Sequence, residues 1–277
     1  MAARELRSAG VDRPWYEADL LVGHLTGLDR ALLHTRPHFP FPSTLVPGLL
    51  EALSRRKARE PLQYITGECD FMDMNLSVGP GCLVPRPETE LLVLETRKFF
   101  SKGVFMDWGT GSGCLASAVL SFCPESRCVA VEREGLALMW AWKNLHKLGL
   151  LDRCRLWHSK DPWEIPVPSS SLEMIISNPP YIASEEIDSL MPEVSAYEPR
   201  PALDGGVDGL DPYRILIPYS LEKLRPGGVL ALETGDDRGA REIEIMAKGL
   251  MTLESRVEDI HGIARVLVFR KPCSATM

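Results

Sequence analysis

No stretch of the 277-residue chain approaches the run of about 20 apolar residues that spans a bilayer, so no membrane partner is expected. The opening Met1-Ala-Ala-Arg-Glu-Leu6 lacks the basic start, apolar run and small-residue cleavage site of a secretory signal. The expected compartment is therefore the cytoplasm, or the mitochondrial matrix if the source is eukaryotic. Paired cysteine motifs are missing too. The seven cysteines, at 69, 82, 114, 123, 128, 154 and 273, are odd in number and show no CxxC spacing. That argues against a disulfide framework or a zinc site, and for small core residues in a reducing compartment. His34 and His38 have the i, i+4 spacing of helical metal ligands, but Pro37 between them points to a loop, so no metal is expected. Repeats and low-complexity segments are absent. Positive charge is in deficit, with 31 Lys and Arg against 38 Asp and Glu. Nucleic-acid binding depends on neutralising phosphates with Lys and Arg, so a protein or small-molecule substrate fits better and no stable nucleic-acid partner is expected.

What the chain does contain is an ordinary globular balance, 45% hydrophobic and 25% charged, with length enough for one large domain and a small one. Residues 1–60 read as helical, from an apolar stripe at Ala18, Leu20, Leu21 and Leu25 and another at Leu49, Leu50 and Leu53. The proline-rich stretch 37–42 between them reads as a loop. Arg55-Arg-Lys-Ala-Arg59 reads as a solvated helix end, and it is the one obvious place to meet an acidic partner. Residues 61–90 read as a β-hairpin linker, from the alternation of Phe71, Met74, Leu76 and Val78. From 91 to 277 strands alternate with helices. Strands are expected around 104–106, 128–131, 153–157, 174–176, 229–232 and 266–269, with helices around 112–121, 136–148, 215–224 and 243–251 between them. That alternation implies an α/β fold with a mostly parallel sheet covered on both faces.

Asp107-Trp-Gly-Thr-Gly-Ser-Gly113 follows a strand and opens a helix. Glycines there let the backbone approach a ligand, and amides at a helix start favour polar groups. A dinucleotide fingerprint needs glycine at position 114, which holds cysteine instead. GxGxG preceded by an acid is the methyltransferase pattern, and it places S-adenosylmethionine against Asp107, Gly109, Thr110, Gly111, Ser112 and Gly113. Glu132 ends the second strand about 20 residues on, where an acid accepts hydrogen bonds from a ribose diol.

Asn178-Pro179-Pro180-Tyr181 lies at the carboxyl end of a later strand, the edge where open α/β sheets bind ligands. The two prolines fix φ and remove donors. The Asn178 side-chain oxygen and the Pro179 carbonyl are then placed to accept the N–H groups of a planar nitrogen, to orient it, and to stabilise the charge it develops. Tyr181 can stack on the flat group. By themselves these residues leave three readings open: methylation of a protein amide, methylation of an adenine or guanine amine in nucleic acid, and a non-catalytic adenosylmethionine-binding protein. The last has no use for a nitrogen-orienting clamp.

With Pro61-Leu-Gln-Tyr-Ile-Thr-Gly-Glu68, Leu83-Val-Pro-Arg-Pro-Glu-Thr-Glu90, Tyr197-Glu-Pro-Arg-Pro-Ala-Leu-Asp-Gly-Gly206 and Asp208-Gly-Leu-Asp-Pro-Tyr-Arg214, the chain resembles the protein-(glutamine-N5) methyltransferases of the HemK/PrmC type. The resemblance implies a seven-stranded Rossmann-like class I methyltransferase domain behind a small helical, substrate-recognition domain and a hairpin linker. It implies that the glutamine of the Gly-Gly-Gln motif of class-1 peptide chain release factors enters the pocket of Asn178, Pro179, Pro180 and Tyr181. It also brings the Pro85–Glu90 segment to the border of the active site, fixed by Arg86 and Glu88 with Arg86 on the substrate side, and has Glu198 and Pro199 shape that side. Asp161 or Trp163 would flank the adenine, and a monomer is the expected state. Trp108 departs from the family's smaller aliphatic residue, and Glu132 from its more common Asp.

Overall fold

The structure, a computed structural model, describes residues 1–35 and 40–273. Pro37 and His38 lie outside the described residues, and with them the expected loop around the two histidines. His34 itself pairs with Asp19 at 2.8 Å. Among the described residues no helix is long and apolar enough to cross a membrane.

The chain divides into two compact units, residues 1–68 with 191–197, and residues 69–190 with 198–277. In the first, helices Ala2–Ser8, Pro14–Thr26, Arg30–Thr35, Val46–Lys57 and Leu62–Thr66 enclose a small core of Ala3, Leu6, Val11, Ala18, Leu21, Ala52 and Leu53. Proline at the first turn of Pro14–Thr26, and left-handed Gly27 after it, give that helix its expected start and stop. The basic run at its surface is not free to meet a partner. Arg55 pairs with Glu60 at 2.6 Å and Lys57 with Glu5 at 2.7 Å. Buried Arg56 reaches both Glu17 and Glu193, the latter at 2.8 Å, and Arg59 reaches Glu193 at 2.7 Å. Each cation is already neutralised within the unit.

From Cys69 on, the second unit opens with the rest of a hairpin of β1 (Glu68–Phe71) and β2 (Met74–Ser77), turning on Met72 at φ 53°. Its main sheet has seven strands: β3 (Gly103–Trp108), β4 (Ser126–Glu132), β5 (Cys154–His158), β6 (Leu172–Ser177), β7 (Leu224–Glu233), β8 (Thr252–Glu258) and β9 (Ala264–Arg270). Their order is β5-β4-β3-β6-β7-β9-β8. The first five are parallel, and β9 runs antiparallel to both β7 and β8. Side chains alternate between two cores. Phe105, Met174 and Ile176 enter one, under helices Pro87–Thr96, Cys114–Phe122 and Gly135–Lys147. Met106 and Ile175 enter the other, under helices Asp211–Lys223 and Asp237–Ala247.

Several elements depart from the sequence reading, among them helix Leu62–Thr66 and the start of helix Pro87–Thr96, both within the expected hairpin linker. The pattern at Pro226-Gly-Gly228 predicts a turn before a strand, yet β7 already runs from Leu224 through it. The β6–β7 register shifts between Leu172 and Met174, so the glycines sit in an irregular stretch of the ladder. β8 had no counterpart in the pattern.

The topology fixes where a ligand can go. From β3 the chain winds outward to β4 and β5, then crosses back to β6 on the other side of β3. The carboxyl ends of β3 and β6 therefore flank the crevice that such a reversal opens.

Candidate active site

A cavity of about 440 Å³ opens at those strand ends. On one side it is bounded by the turn from Trp108 to Ser112, which is knitted onto β4: the Gly109 and Thr110 amides donate to the Val131 carbonyl at 2.9 and 3.0 Å. Gly109 and Gly111 have φ of +74° and +56°, and a Cβ built on Gly109 would meet no atom within 4 Å, so its side-chain space belongs to the cavity. Glu132, at the end of β4, accepts the Gly111 amide on one oxygen at 2.8 Å. Its other oxygen accepts the Arg133 and Glu134 amides at 2.7 and 2.9 Å. Burial pushes this carboxyl up, and the three amides pull it back. A carboxylate offers about four acceptor positions, so with three amides bound one remains for a ribose hydroxyl. Open glycine backbone beside an anchored acid suits adenosylmethionine.

Asp107 and Gly113 lie behind this wall. Fully buried Asp107 accepts the Thr110 hydroxyl at 2.6 Å and the Ala116 amide at 3.0 Å, both on Oδ2, while Oδ1 has no partner. Burial pushes its carboxyl up to about 7. A Cβ on left-handed Gly113 would approach the Ala141 Cα at 3.2 Å, so helix packing requires that glycine. Asp161 and Trp163 are not brought to the cavity. Asp161 caps the turn Pro162–Glu164 by accepting the Trp163 amide at 2.9 Å. The Trp163 ring is 45% exposed and stands edge-on to Tyr219. Ser159 and Lys160 line the wall in that segment.

Across the cavity lie Asn178 and Pro180, and Ser177 ties the β6 end to β3 by donating to the Trp108 carbonyl at 2.6 Å. Asn178 Nδ2 donates to Thr89 Oγ1 at 3.1 Å. Pro179 is buried behind them, and the Tyr181 ring seats against Gly235, where a Cβ would approach it to 2.7 Å. Segment 203–206 straps the tetrapeptide from outside. Ile182 donates to Leu203 O at 3.0 Å, Gly205 to Ile182 O at 2.9 Å, and Ser184 to Gly206 O at 2.9 Å. Only glycine fits at 209, where a Cβ would come within 2.4 Å of the Tyr181 carbonyl. Arg86 lines the cavity and pairs with Glu198. Glu88 stands in the first turn of helix Pro87–Thr96, where a carboxylate favours the helix dipole. Glu198 is buried and also accepts the Val84 amide at 3.3 Å, so it ties segment 83–86 to the 198–206 segment.

Sequence reasoning missed two residues of this site. Thr89, buried in the first turn of helix Pro87–Thr96, reaches Asn178. Asn144, fully buried, accepts the Ser77 amide at 2.7 Å and donates to the Ser77 and Ser112 carbonyls, each at 2.9 Å. It therefore joins the hairpin to the glycine turn. For Thr89 the sequence carried a helix start in Pro87 and the acids at 88 and 90; for Asn144 it carried none.

Comparison with known proteins agrees with this geometry. Residues 1–67 match the PrmC N-terminal domain family and residues 87–194 the methyltransferase small domain family. The release factor glutamine methyltransferase of Caulobacter vibrioides is 37% identical over 271 residues, 96% of this chain and 93% of its own length. That of Moorella thermoacetica is 39% identical over 86% of this chain and 84% of its own length. A crystal structure of a methyltransferase from Pyrococcus furiosus shares the fold with a TM-score of 0.54 at 19% identity, over 83% of this chain and all of that one. A glycine turn, an acid ending β4 and an Asn-Pro-Pro-Tyr segment at the β3–β6 crevice, in a chain alike to such relatives along almost its whole length, place it in one family: the chain belongs to the release factor glutamine methyltransferases.

Proposed function

We propose that the chain transfers the methyl of S-adenosylmethionine to the side-chain amide N5 of the glutamine in the Gly-Gly-Gln motif of class-1 peptide chain release factors. When bound, adenosylmethionine supplies an electrophilic methyl group on a sulfonium. An amide nitrogen is a poor nucleophile because its lone pair is delocalised into the carbonyl, so the protein's task is orientation and charge stabilisation. Asn178 Oδ1 and the Pro179 carbonyl accept the two N–H groups of the glutamine amide, turning the nitrogen toward the methyl and stabilising the positive charge that grows there. Tyr181, its ring seated against Gly235 and outside the cavity lining, backs the segment rather than covering the amide. The carbon–sulfur bond would break as the nitrogen–carbon bond forms, leaving S-adenosylhomocysteine, and a strong base is unnecessary, since the N–H proton becomes acidic and can pass to water. The observation that carries this reading is the fixed Asn178: its Nδ2 is engaged by Thr89 in a stiff Pro-Pro frame, beside the glycine turn. On this reading the first unit recognises the release factor, Arg86 and Glu198 shape the substrate side, and the enzyme acts as a cytoplasmic monomer without stably bound nucleic acid.

Mass spectrometry of a release factor incubated with enzyme and adenosylmethionine tests it. One added methyl on the Gly-Gly-Gln glutamine is expected, with none on an rRNA fragment run in parallel. An unmodified glutamine with a folded, cofactor-binding enzyme removes the proposal, and methyl transfer to the RNA replaces it with a nucleic-acid amino-methyltransferase.

A further inference from the structure

Two turns brace Tyr181 from different sides. Turn 206–209 presses on its main chain, with Gly209 against the Tyr181 carbonyl. Turn 259–262, between β8 and β9, is tied to Gly235, where the Tyr181 ring seats. The tie is Arg265, which donates from Nε to Asp259 Oδ2 at 2.8 Å and from Nη1 to the Gly235 carbonyl at 2.5 Å.

Each turn is closed by its own polar groups. In the first, the Gly206 amide donates to Asp204 Oδ1 at 3.0 Å and the Leu210 amide to Asp208 Oδ1 at 3.2 Å, while Arg214 grips Asp208 at 2.5 Å. In the second, the Gly262 amide donates to the Asp259 carbonyl at 2.9 Å, and the His261 and Ile263 amides donate to Asp259 Oδ1 at 2.8 and 3.1 Å. Glycine and aspartate thus fix both backbones, and neither turn needs an apolar side chain at its tip. Yet the tips carry Val207, 89% exposed, and Ile260, 95% exposed, the two barest large apolar side chains among the described residues. Gly206, next to Val207, lines the cavity. One exposed aliphatic needs no explanation. The two extremes, on two stiff turns that brace the same residue of the Asn178–Tyr181 segment, do.

The glycines of Gly-Gly-Gln carry no side chains, so beyond the amide itself the loop offers little to hold. A protein substrate is then gripped by surface around the loop. A branched aliphatic on a stiff turn loses little freedom on binding and takes apolar area out of water. We propose that Val207 and Ile260 are apolar anchors for the release factor domain that presents the Gly-Gly-Gln loop, each packing on apolar side chains beside that loop. The assignment rests on the release factor as substrate, and it gives these residues the affinity for that protein rather than the chemical step.

The test uses Val207→Asp, Ile260→Asp, their double variant, and Ile245→Asp as a control on another exposed aliphatic, in helix Asp237–Ala247. Steady-state kinetics on a release factor are read together with its Kd in the presence of S-adenosylhomocysteine. Each tip variant should raise KM and Kd about 10-fold and the pair about 30–100-fold, while kcat at saturation and adenosylmethionine affinity stay within about twofold. The control should match the parent within about twofold throughout. Val207→Thr and Ile260→Thr keep the branched shape and trade an alkyl group for a hydroxyl; they should cost about threefold each, and they stand in if an aspartate variant does not fold. Tip variants with parental KM and Kd overturn the assignment, as does a control that weakens the release factor equally. A loss in kcat alone overturns it too, by putting the turns in the geometry of the reaction. A parent dimer that the tip variants split gives the tips to a second copy of this chain, with the same consequence. A parent that binds the release factor without methylating it strikes the proposed reaction and leaves the anchors standing, whereas one that binds no release factor removes both.

Discussion

On the glycine-turn side of the cavity, the ligand-facing groups are backbone and one carboxylate, held by buried acids: Asp107 beneath the turn and Glu132 at its edge. On the Asn178 side they are a side-chain amide and carbonyls, stiffened by two prolines and held by a hydroxyl. On the proposed function, the first side takes a ligand with a diol and a positive centre, and its shape is maintained by hydrogen bonds to main chain. On the same reading, the second meets a neutral amide, where charge appears only in the transition state. Binding and rate enhancement are thus assigned to different walls, and substitutions on the two walls should separate Kd from kcat.

The largest expected effect is on the acceptor wall. Asn178→Ala should lower kcat by about 10²–10³, the range for losing one group aimed at developing charge, with adenosylmethionine affinity unchanged by calorimetry. Equal losses in kcat and in cofactor affinity would erase the division between the walls. Next comes Asn144→Ala beneath the cofactor wall. It leaves the Ser77 amide and the Ser77 and Ser112 carbonyls unpartnered in the interior, at about 3 kcal/mol of stability. Urea unfolding measures that, and the loosened turn should weaken cofactor binding as well. An unchanged midpoint would mean that water replaces the amide. Glu132→Ala is expected to raise the adenosylmethionine Kd by about 10–100-fold, while kcat at saturating cofactor stays within about threefold. A fall in kcat of the same depth would show that the cofactor wall also sets the reacting geometry.

The two walls also differ in how much of them the sequence discloses. The glycine turn, Glu132 and the Asn178 tetrapeptide are runs of neighbouring residues at strand ends, so local pattern exposes them. Of the parallel strands, β3, β4, β6 and β7 were legible for a related reason, since a strand covered on both faces reads as an apolar run. β8 was not, because Thr252-Leu-Glu-Ser-Arg-Val-Glu258 is an exposed to half-buried edge strand with little apolar face. Helix Pro87–Thr96 was absorbed into the expected linker, although Pro87 marks its start. What the sequence hides are contacts made across the fold by single polar residues. Thr89 is 89 positions from Asn178, Ser77 is 67 from Asn144, and Arg86 is 112 from Glu198. A lone Thr or Asn on a helix has no periodicity to betray it, and a proximal acid such as Glu88 looks like a better partner for Arg86 than a distant one.

The smallest effect concerns the charge beneath the cofactor wall. Burial pushes the Asp107 carboxyl from 3.8 up to about 7, while Thr110 and the Ala116 amide pull it down. Between those values the folded chain holds a proton that the unfolded chain has released, so stability is greatest below the lower one and falls as pH rises toward the upper. Glu233, pushed from 4.5 to about 7 by burial, acts in the same sense. Asp208 and Asp259, lowered to about 2 by their arginine partners, contribute in the opposite sense but lose that contribution only at more acidic pH. Unfolding free energy from urea titrations between about pH 5 and about pH 8 should therefore decline, and Asp107→Asn should flatten the decline by on the order of 1–2 kcal/mol. Asn keeps an oxygen for Thr110 and Ala116 but has no proton to lose. If parent and variant decline in parallel, Asp107 is ionised throughout, and the glycine turn is held by a buried anion rather than by a neutral acid. The cofactor wall would then carry a full negative charge under the methyl donor's positive centre, and the contrast with the uncharged Asn178 wall would be sharper still.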